Sequence, residues 1–291
     1  MKAKHYFAAG NTASGFINCF NYINDSVADA HLFILKGGPG TGKSTLMKKI
    51  GRHFEEKGVC VEYFYCASDP ESLDGVRIVS ANAAVVDGTA PHVTEASLPG
   101  ITDEIVNIGT FIGRGIRTHK TEIENLLEEK KRRVQSAEHY LRAAGEAYQA
   151  ENTARTPDLI NAEACGRVLF LSALGKNLTG FNNYKKTLTF KESGADEICM
   201  LLDKRGKTGG IFFPSLLDPV KPEALEIGGT LIRFPSPVCA PADELLRLAE
   251  KTLEAARVIH KQIESFYIPH MDFAGLDRTA EELIRDIESR I

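Results

Sequence analysis

The segment FILKGGPGTGKSTLMKKIG, residues 33–51, has the residue types and spacing of a phosphate-binding loop. Gly37, Gly42, Lys43 and Ser44 fill the pattern G-x-x-x-x-G-K-[ST], which has this meaning only between a strand and a helix. The apolar run HLFILKG precedes the pattern, and apolar residues at helical spacing follow it. The sequence therefore predicts a strand, a nucleotide-binding loop and a helix in that order.

Each residue type in this pattern has a role in binding phosphate. Gly38, Gly40 and Gly42 can adopt conformations that direct successive backbone N–H groups at phosphate oxygens. The positive end of the helix dipole adds to the attraction. The Lys43 ammonium would reach the β- and γ-phosphates, and the Ser44 hydroxyl would bind Mg²⁺. The alternative is a glycine-rich turn with an incidental Lys-Ser pair, and the flanking elements argue against it.

A magnesium-side carboxylate is expected at the end of a neighbouring strand, and two aspartates qualify. Asp87 follows a wholly apolar run and is the preferred candidate, although Asp-Gly is also a turn signal. Asp69 would lie at the carboxyl edge of the sheet, where ligands bind, or it starts a turn or caps a helix. His92 could position the attacking water or bind substrate, but a lone histidine after a proline is more often a surface residue.

Two arginines could complete a phosphoryl-transfer site. Arg114 and Arg117 lie between or beside glycines in FIGRGIRTHK. Such a segment could close over the phosphates. A polar bend before the next helix is the favoured interpretation.

The second half of the chain resembles a reduced copy of the first. AAGNTASGFIN, residues 8–18, aligns with ALGKNLTGFNN, residues 173–183. The strand-like EICMLL is then followed by a basic, glycine-bearing turn that lacks the Gly-Lys-Ser trio, and Arg233 stands near the position that corresponds to Asp87. We therefore expect residues 161–291 to be a degenerate half that does not bind nucleotide in the usual way. Two unrelated α/β segments are the alternative.

Long amphipathic helices are predicted at the end of each half. Apolar stripes run through residues 118–150 and 245–266, and the two helices could pack as an antiparallel pair or mediate a homodimer. The predicted organisation is a nucleotide-binding domain over residues 1–117, a long helix and linker over 118–160, and the degenerate half over 161–291.

Composition limits the partners and the compartment. The formal net charge of −4 gives no general attraction to nucleic acid or to an anionic membrane. No apolar run is long enough for a membrane span, and no signal peptide is recognised. The six cysteines form no CxxC pair and are expected to be reduced thiols. These features predict a cytoplasmic protein without a nucleic-acid or membrane partner.

The order of motifs HYFAAGNTASGFIN, GGPGTGKST, CASDPESLDGVRI and VVDGTAPH resembles a poorly characterised family of bacterial P-loop ATPases with two tandem P-loop halves. The resemblance covers most of residues 5–120, and the second half carries it in SALGKNLTGF and VIHKQIESFYIPHMDF. It implies ATP and Mg²⁺ as ligands, with Ser44 and Asp87 on the metal side. The chain departs from the family at the second P-loop, which is missing. The phosphate-binding residues that the resemblance implies are Gly37, Gly38, Pro39, Gly40, Thr41, Gly42, Lys43, Ser44 and Thr45.

The favoured function is an ATPase that couples hydrolysis to a conformational change, with Lys43, Asp87, Asp69 and His92 as the candidate catalytic residues. A kinase for a small-molecule or nucleotide acceptor and a non-hydrolysing ATP sensor that signals to a protein partner are the alternatives. The expected fold is α/β, a doubly wound parallel sheet of the P-loop NTPase type with a reduced second half and long helices.

Overall fold

A computed structural model describes residues 3–7, 9–12, 15–18, 30–66, 68–69, 71–90, 93–154, 225–227, 230–232 and 240–291. Most of the predicted degenerate half, including residues 173–183 and Arg233, lies outside the described residues. His92 also lies outside them.

In the first half, the described secondary structure has four strands before the first α-helix and four after it, and the described C-terminus is helical. The strands are β1 (Lys4–Phe7), β2 (Ala9–Thr12), β3 (Gly15–Asn18), β4 (His31–Lys36), β5 (Val61–Tyr65), β6 (Leu73–Ile78), β7 (Ala83–Asp87), β8 (Asp103–Asn107), β9 (Leu225–Ile227) and β10 (Thr230–Ile232). The α-helices are α1 (Lys43–Glu56), α2 (Lys120–Ala154), α3 (Ala240–Tyr267) and α4 (Phe273–Glu288). Short 3₁₀ helices span Ile108–Phe111, Arg114–His119 and Ile268–His270.

A six-stranded sheet with the order β1-β5-β6-β7-β4-β8 is the centre of the fold. β4 is parallel to both of its neighbours, β7 and β8, and β1 is parallel to β5. β6 is antiparallel to β5 and to β7. The fold is therefore α/β with a mixed sheet. The pairs β2–β3 and β9–β10 form two separate two-stranded antiparallel sheets.

The expectation of a parallel sheet is wrong for β6, and the connections explain why. Parallel neighbours need a crossover of about a dozen residues or more, whereas antiparallel neighbours can be joined by a short turn. Only residues 66–72 join β5 to β6, and only residues 79–82 join β6 to β7. Asn82 completes the second turn with φ of 48°, a left-handed conformation that asparagine tolerates better than most residues.

The predicted strand, loop and helix at residues 31–56 are confirmed. β4 is buried on both faces, as its continuous apolar sequence indicates. The apolar side of α1 is fully buried through Leu46, Met47, Ile50 and Phe54, and the chain leaves the helix at Gly58 with φ of 75°. Each such side chain contributes roughly 1.5–3 kcal/mol when fully buried, so α1 is firmly attached to the sheet.

The two long predicted helices are confirmed, and they pack antiparallel to each other within the chain. Ile123, near the start of α2, shares an apolar cluster with Ile263, near the end of α3. Leu141, farther along α2, shares another with Ala249, nearer the start of α3. The pair therefore covers its two apolar stripes by mutual contact.

The C-terminal helix α4 packs against α1 and belongs to the core of the large sheet. Leu276, Leu283, Ile284 and Ile287 lie in the same apolar cluster as the buried residues of α1. The proposed domain division at residue 161 stays a prediction. Among the described helices, none combines the length and the apolar character needed to cross a bilayer.

Candidate functional site

The glycine-rich loop leaves the carboxyl end of β4 and enters α1, as predicted. Gly40 and Gly42 have φ of 67° and 86°, which only glycine adopts without strain. The Thr41 hydroxyl donates to the Gly38 carbonyl at 2.8 Å and fixes the turn from inside. Gly42 is the N-cap of α1 without a side-chain cap, so the backbone N–H groups of the first turn face outward toward the site.

Lys43 is the first residue of α1, and its side chain reaches back into the loop. Its ammonium donates to the carbonyl oxygens of Gly37 at 2.6 Å and Gly38 at 2.8 Å. It also lies 3.6 Å from Asp87 Oδ2, and the two side chains are only 11% and 16% exposed. The structure therefore brings together the predicted phosphate-binding lysine and the preferred carboxylate.

Asp87 is both a turn residue and a residue that faces the loop. Its Oδ1 accepts the backbone N–H of Thr89 at 2.8 Å, which is the turn arrangement of an Asp-Gly pair. The Thr89 hydroxyl in turn donates to the Gly37 carbonyl at 2.9 Å. The turn interpretation of Asp87 is confirmed, and the turn fixes the carboxylate opposite Lys43. Its role on the magnesium side stays a prediction.

Ser44 is held against the sheet. Its hydroxyl oxygen accepts the backbone N–H of Leu73, at the start of β6, at 2.9 Å. This contact fixes the position of the hydroxyl at the end of the loop, next to the start of β6. The sequence predicts Ser44 as a metal ligand, and this role stays a prediction.

Asp69 lies in a turn at the edge of the sheet and also reaches a residue that the sequence interpretation missed. Its carboxylate accepts from the Ser72 hydroxyl at 3.1 Å, which holds the turn before β6. Its Oδ1 lies 3.7 Å from a guanidinium nitrogen of Arg257 on α3. Arg114 and Arg117 are exposed in the 3₁₀ segment that leads into α2, which fits the polar-bend interpretation.

Helices α2 and α3 place several charged or polar side chains near the loop. Lys130 on α2 donates to His260 Nδ1 at 2.8 Å, and His260 Nε2 lies 3.6 Å from a carboxylate oxygen of Glu264. Arg257 is held by Glu254 through two hydrogen bonds of 2.9 and 2.7 Å. The sequence contains one signal that could have identified these side chains of α3 as a group. Arg257, His260 and Glu264 follow at intervals of three and four residues, which places them on one side of a helix.

Burial in this region changes the ionisation of several groups. Desolvation lowers the pKa of His260 to about 4, and the neighbouring Lys130 charge acts in the same direction. Desolvation also lowers the pKa of Lys130 and raises the pKa of Glu264. His260 is therefore neutral at physiological pH, which agrees with its Nδ1 accepting a hydrogen bond from the lysine.

A second buried acid, Asp74 on β6, was also missed. It is 4% exposed, and burial followed by the charge of Asp87 raises its pKa to about 8. The sequence analysis did not single out Asp74, and the structure places it inside a buried strand. A shifted pKa of this size is typical of functional sites, where like charges are brought together.

A family model described as Nephrocystin 3, N-terminal, matches residues 14–97 of the chain. The matched range includes the glycine-rich loop, Lys43 and Asp87, and it covers less than a third of the sequence. No curated protein and no solved structure matches the chain. The bacterial P-loop ATPase family that the sequence motifs resemble is a different family, and membership in it stays a prediction.

Proposed function

We propose that the chain is an ATPase of the P-loop type that binds MgATP at residues 37–45. The observation that carries this proposal is the pair of Lys43 and Asp87, which lie 3.6 Å apart and are mostly buried. Lys43 begins α1 after the loop that follows β4, and Asp87 ends β7, the parallel neighbour of β4. Removing two charges from water costs free energy that their attraction often only offsets, so such a pair is weak as a stabilising device. A cation at the start of a helix beside a carboxylate is, by contrast, what phosphoryl transfer requires.

The loop supports the same proposal. Two of its glycines have positive φ, and it connects a buried parallel strand to a helix N-terminus, where anions bind. The Ser44 hydroxyl and the Asp87 carboxylate offer oxygen ligands of the kind that Mg²⁺ prefers. Bound Mg²⁺ would supply charge neutralisation for the β- and γ-phosphates. Lys43 would then exchange its loop carbonyls for phosphate oxygens.

A non-hydrolysing ATP sensor is a second candidate, and one observation favours it. A Cβ placed on Gly40 would lie 2.9 Å from the backbone of Glu264, so α3 touches the loop directly. A movement of the loop would therefore act directly on α3. In the ATPase the same contact would couple hydrolysis to a conformational change.

The test is to measure ATP binding and phosphate release with Mg²⁺ in the native chain and in Lys43→Ala. We expect slow phosphate release without an added acceptor and a loss of about 100-fold in the variant, the usual effect of removing one charged group that contacts the transferred phosphoryl. Lys49→Ala is the matched control. It lies on the same helix, 39% exposed, in a surface ion pair of small energetic value.

Each outcome has a distinct meaning. Lys43-dependent binding without phosphate release would favour the sensor, or a kinase if an added acceptor becomes phosphorylated as ADP forms. Equal binding by the native chain and Lys43→Ala would overturn the nucleotide site. Thermal unfolding of both variants shows whether the lost activity reflects a lost fold.

A further inference from the structure

We propose that His31, Glu104 and Asp286 bind a divalent first-row metal ion, with Zn²⁺ as the expected occupant, at the end of the sheet opposite the glycine-rich loop. One ligand atom from each of the three side chains lies within 4.8 Å of the other two. The site is separate from the nucleotide site of the proposed function. Its role is structural, because the metal ion joins two strands to the C-terminal helix.

The pleat of the sheet places the first two ligands on one face. His31 is the first residue of β4, and alternate residues of a strand share a face, so His31 lies on the same face as Phe33. Glu104 of β8 is the register partner of Phe33 in the parallel pair. His31 and Glu104 therefore project from neighbouring strands on the same side of the sheet.

Helix α4 brings the third ligand to this face. A Cβ placed on Gly42 would lie 2.5 Å from the Leu276 side chain, so the start of α4 lies at the glycine-rich loop. The helix from Leu276 to Asp286 is about 15 Å long. The strand from Lys36 back to His31 is about 16 Å long. The helix therefore spans the length of β4, and Asp286 meets His31 at the far end.

The donor set suits a metal ion. Zn²⁺ accepts imidazole nitrogen and carboxylate oxygen ligands. With bonds of about 2.0–2.2 Å, the ligand atoms of a tetrahedral zinc site lie about 3.4 Å apart. Glu104 is exposed on β8, so its side chain can rotate to close the remaining distance at little cost. Three protein ligands leave a fourth position for water.

The surroundings of the site favour a cation. Asp286 lies in the last turn of α4, where the helix dipole has its negative end. Its Oδ1 accepts a hydrogen bond from Arg290 Nε at 3.0 Å, and ligating carboxylates are usually oriented by hydrogen bonds. The two ligand carboxylates outnumber this one guanidinium. His31 is only 7% exposed, and a buried polar ring needs polar partners, which this group provides.

The experiment uses the full chain, freed of metal with a chelator and titrated with Co²⁺ or Zn²⁺ in the absence of nucleotide. Co²⁺ reports its ligands, because nitrogen and oxygen ligands give d–d absorption bands alone, whereas thiolates add charge-transfer bands in the near ultraviolet. We expect d–d bands without thiolate bands, and Zn²⁺ should displace the Co²⁺. Zn²⁺ should also raise the melting temperature by an amount that grows with its free concentration, as any ligand of the folded state does.

Glu104→Gln is the decisive variant. Glu104 is exposed and glutamine keeps its shape, so the metal-free melting temperature should equal that of the native chain. Loss of an outer-shell partner alone usually costs about 10–100-fold in metal affinity, so we expect loss of a direct ligand to cost at least about 100-fold. Asp286→Asn should act in the same direction. Glu281→Gln is the matched control, since Glu281 lies on α4 with its side chain 58% exposed, and it should bind metal as the native chain does.

Three results would overturn the inference. They are no d–d band and no rise in melting temperature in the native chain, a Co²⁺ spectrum with thiolate bands that Glu104→Gln leaves unchanged, and equal metal affinity of the native chain and Glu104→Gln. Lys43→Ala separates this site from the nucleotide site, and we expect it to bind Co²⁺ like the native chain. Loss of Co²⁺ in Lys43→Ala would place the metal at the glycine-rich loop and overturn the inference. Retained Co²⁺ binding in a native chain that binds no ATP would overturn only the proposed function.

Discussion

Lys43 has two aspartates in its electrostatic environment, Asp87 and Asp74. Asp87 lies 3.6 Å from the ammonium, and Asp74 on the neighbouring strand is buried and influenced by Asp87 and Lys43. Desolvation and the charge of Asp87 raise the pKa of Asp74 to about 8, while Lys43 acts in the opposite direction. Burial and the neighbouring Asp87 carboxylate therefore favour the protonated form of Asp74 at neutral pH.

The protonated state of Asp74 makes stability depend on pH. Its pKa is about 8 in the folded chain and 3.8 in the reference state, so the folded chain holds a proton that the unfolded chain loses. The free energy of unfolding should therefore fall as pH rises from about 4 to about 8. In Asp74→Asn the free energy of unfolding should not fall in this way. We expect it to exceed that of the native chain by roughly 1–3 kcal/mol at pH 8.

Thermal unfolding of both chains between pH 5 and pH 8.5 measures this difference. Asp277→Asn, at an aspartate on α4 whose side chain is 65% exposed, is the control and should follow the native curve. A constant separation between the native and Asp74→Asn curves across that range would show that Asp74 is ionised in the folded chain.

At the scale of single elements, α1 contains a glycine where its helix would prefer another residue. A Cβ placed on Gly51 would lie 2.8 Å from the Tyr63 hydroxyl oxygen, and that hydroxyl donates to Glu55 at 2.9 Å. Alanine is more favourable than glycine inside a helix by about 1 kcal/mol. Glycine is required at position 51 because the Tyr63 ring of β5 packs directly against the helix backbone and leaves no room for a Cβ.

Gly51→Ala should therefore destabilise the chain in spite of its better helix propensity. Overpacking of this kind costs about 1–3 kcal/mol, which exceeds the gain from alanine. Chemical denaturation measures the sign. In a Tyr63→Val background the ring is gone, and the same Gly51→Ala change should become stabilising. A higher stability of Gly51→Ala in the native background would show that the tyrosine moves aside at little cost.

The sequence predicts the elements that a local pattern of residues is sufficient to define. The apolar run of β4, the helical spacing in α1 and the apolar run before Asp87 each specify an element that the structure contains. β6 was not predicted, because Asp74-Gly75 is a dipeptide typical of turns. The segment becomes a strand through its pairing with both neighbouring strands. The contact of Glu264 with the loop was not predicted either. A stripe on α3 shows that a helix is amphipathic but does not identify what its polar side meets.

At the scale of the whole molecule, helices α1 and α4 share one core although they are far apart in the sequence. Ile50 of α1 and Ile287 of α4 are both fully buried in the same apolar cluster, together with Phe33 and Val85 of the sheet. No local pattern predicts this, because an amphipathic helix at the C-terminus packs equally well against any apolar surface. The consequence is that the C-terminal helix stabilises the strands that hold the candidate site.

Ile287→Ala tests this coupling. Removing a fully buried isoleucine side chain costs about 2–5 kcal/mol, so we expect a clearly lower melting temperature. Because the core is shared, hydrogen exchange should speed up in peptides from β4 and β7 as well as in α4, as in one cooperative unit. Ile291→Ala is the matched control, since Ile291 is 62% exposed and should change little. Faster exchange confined to α4 would mean that the last helix opens by itself and that the sheet with its glycine-rich loop is stable without it.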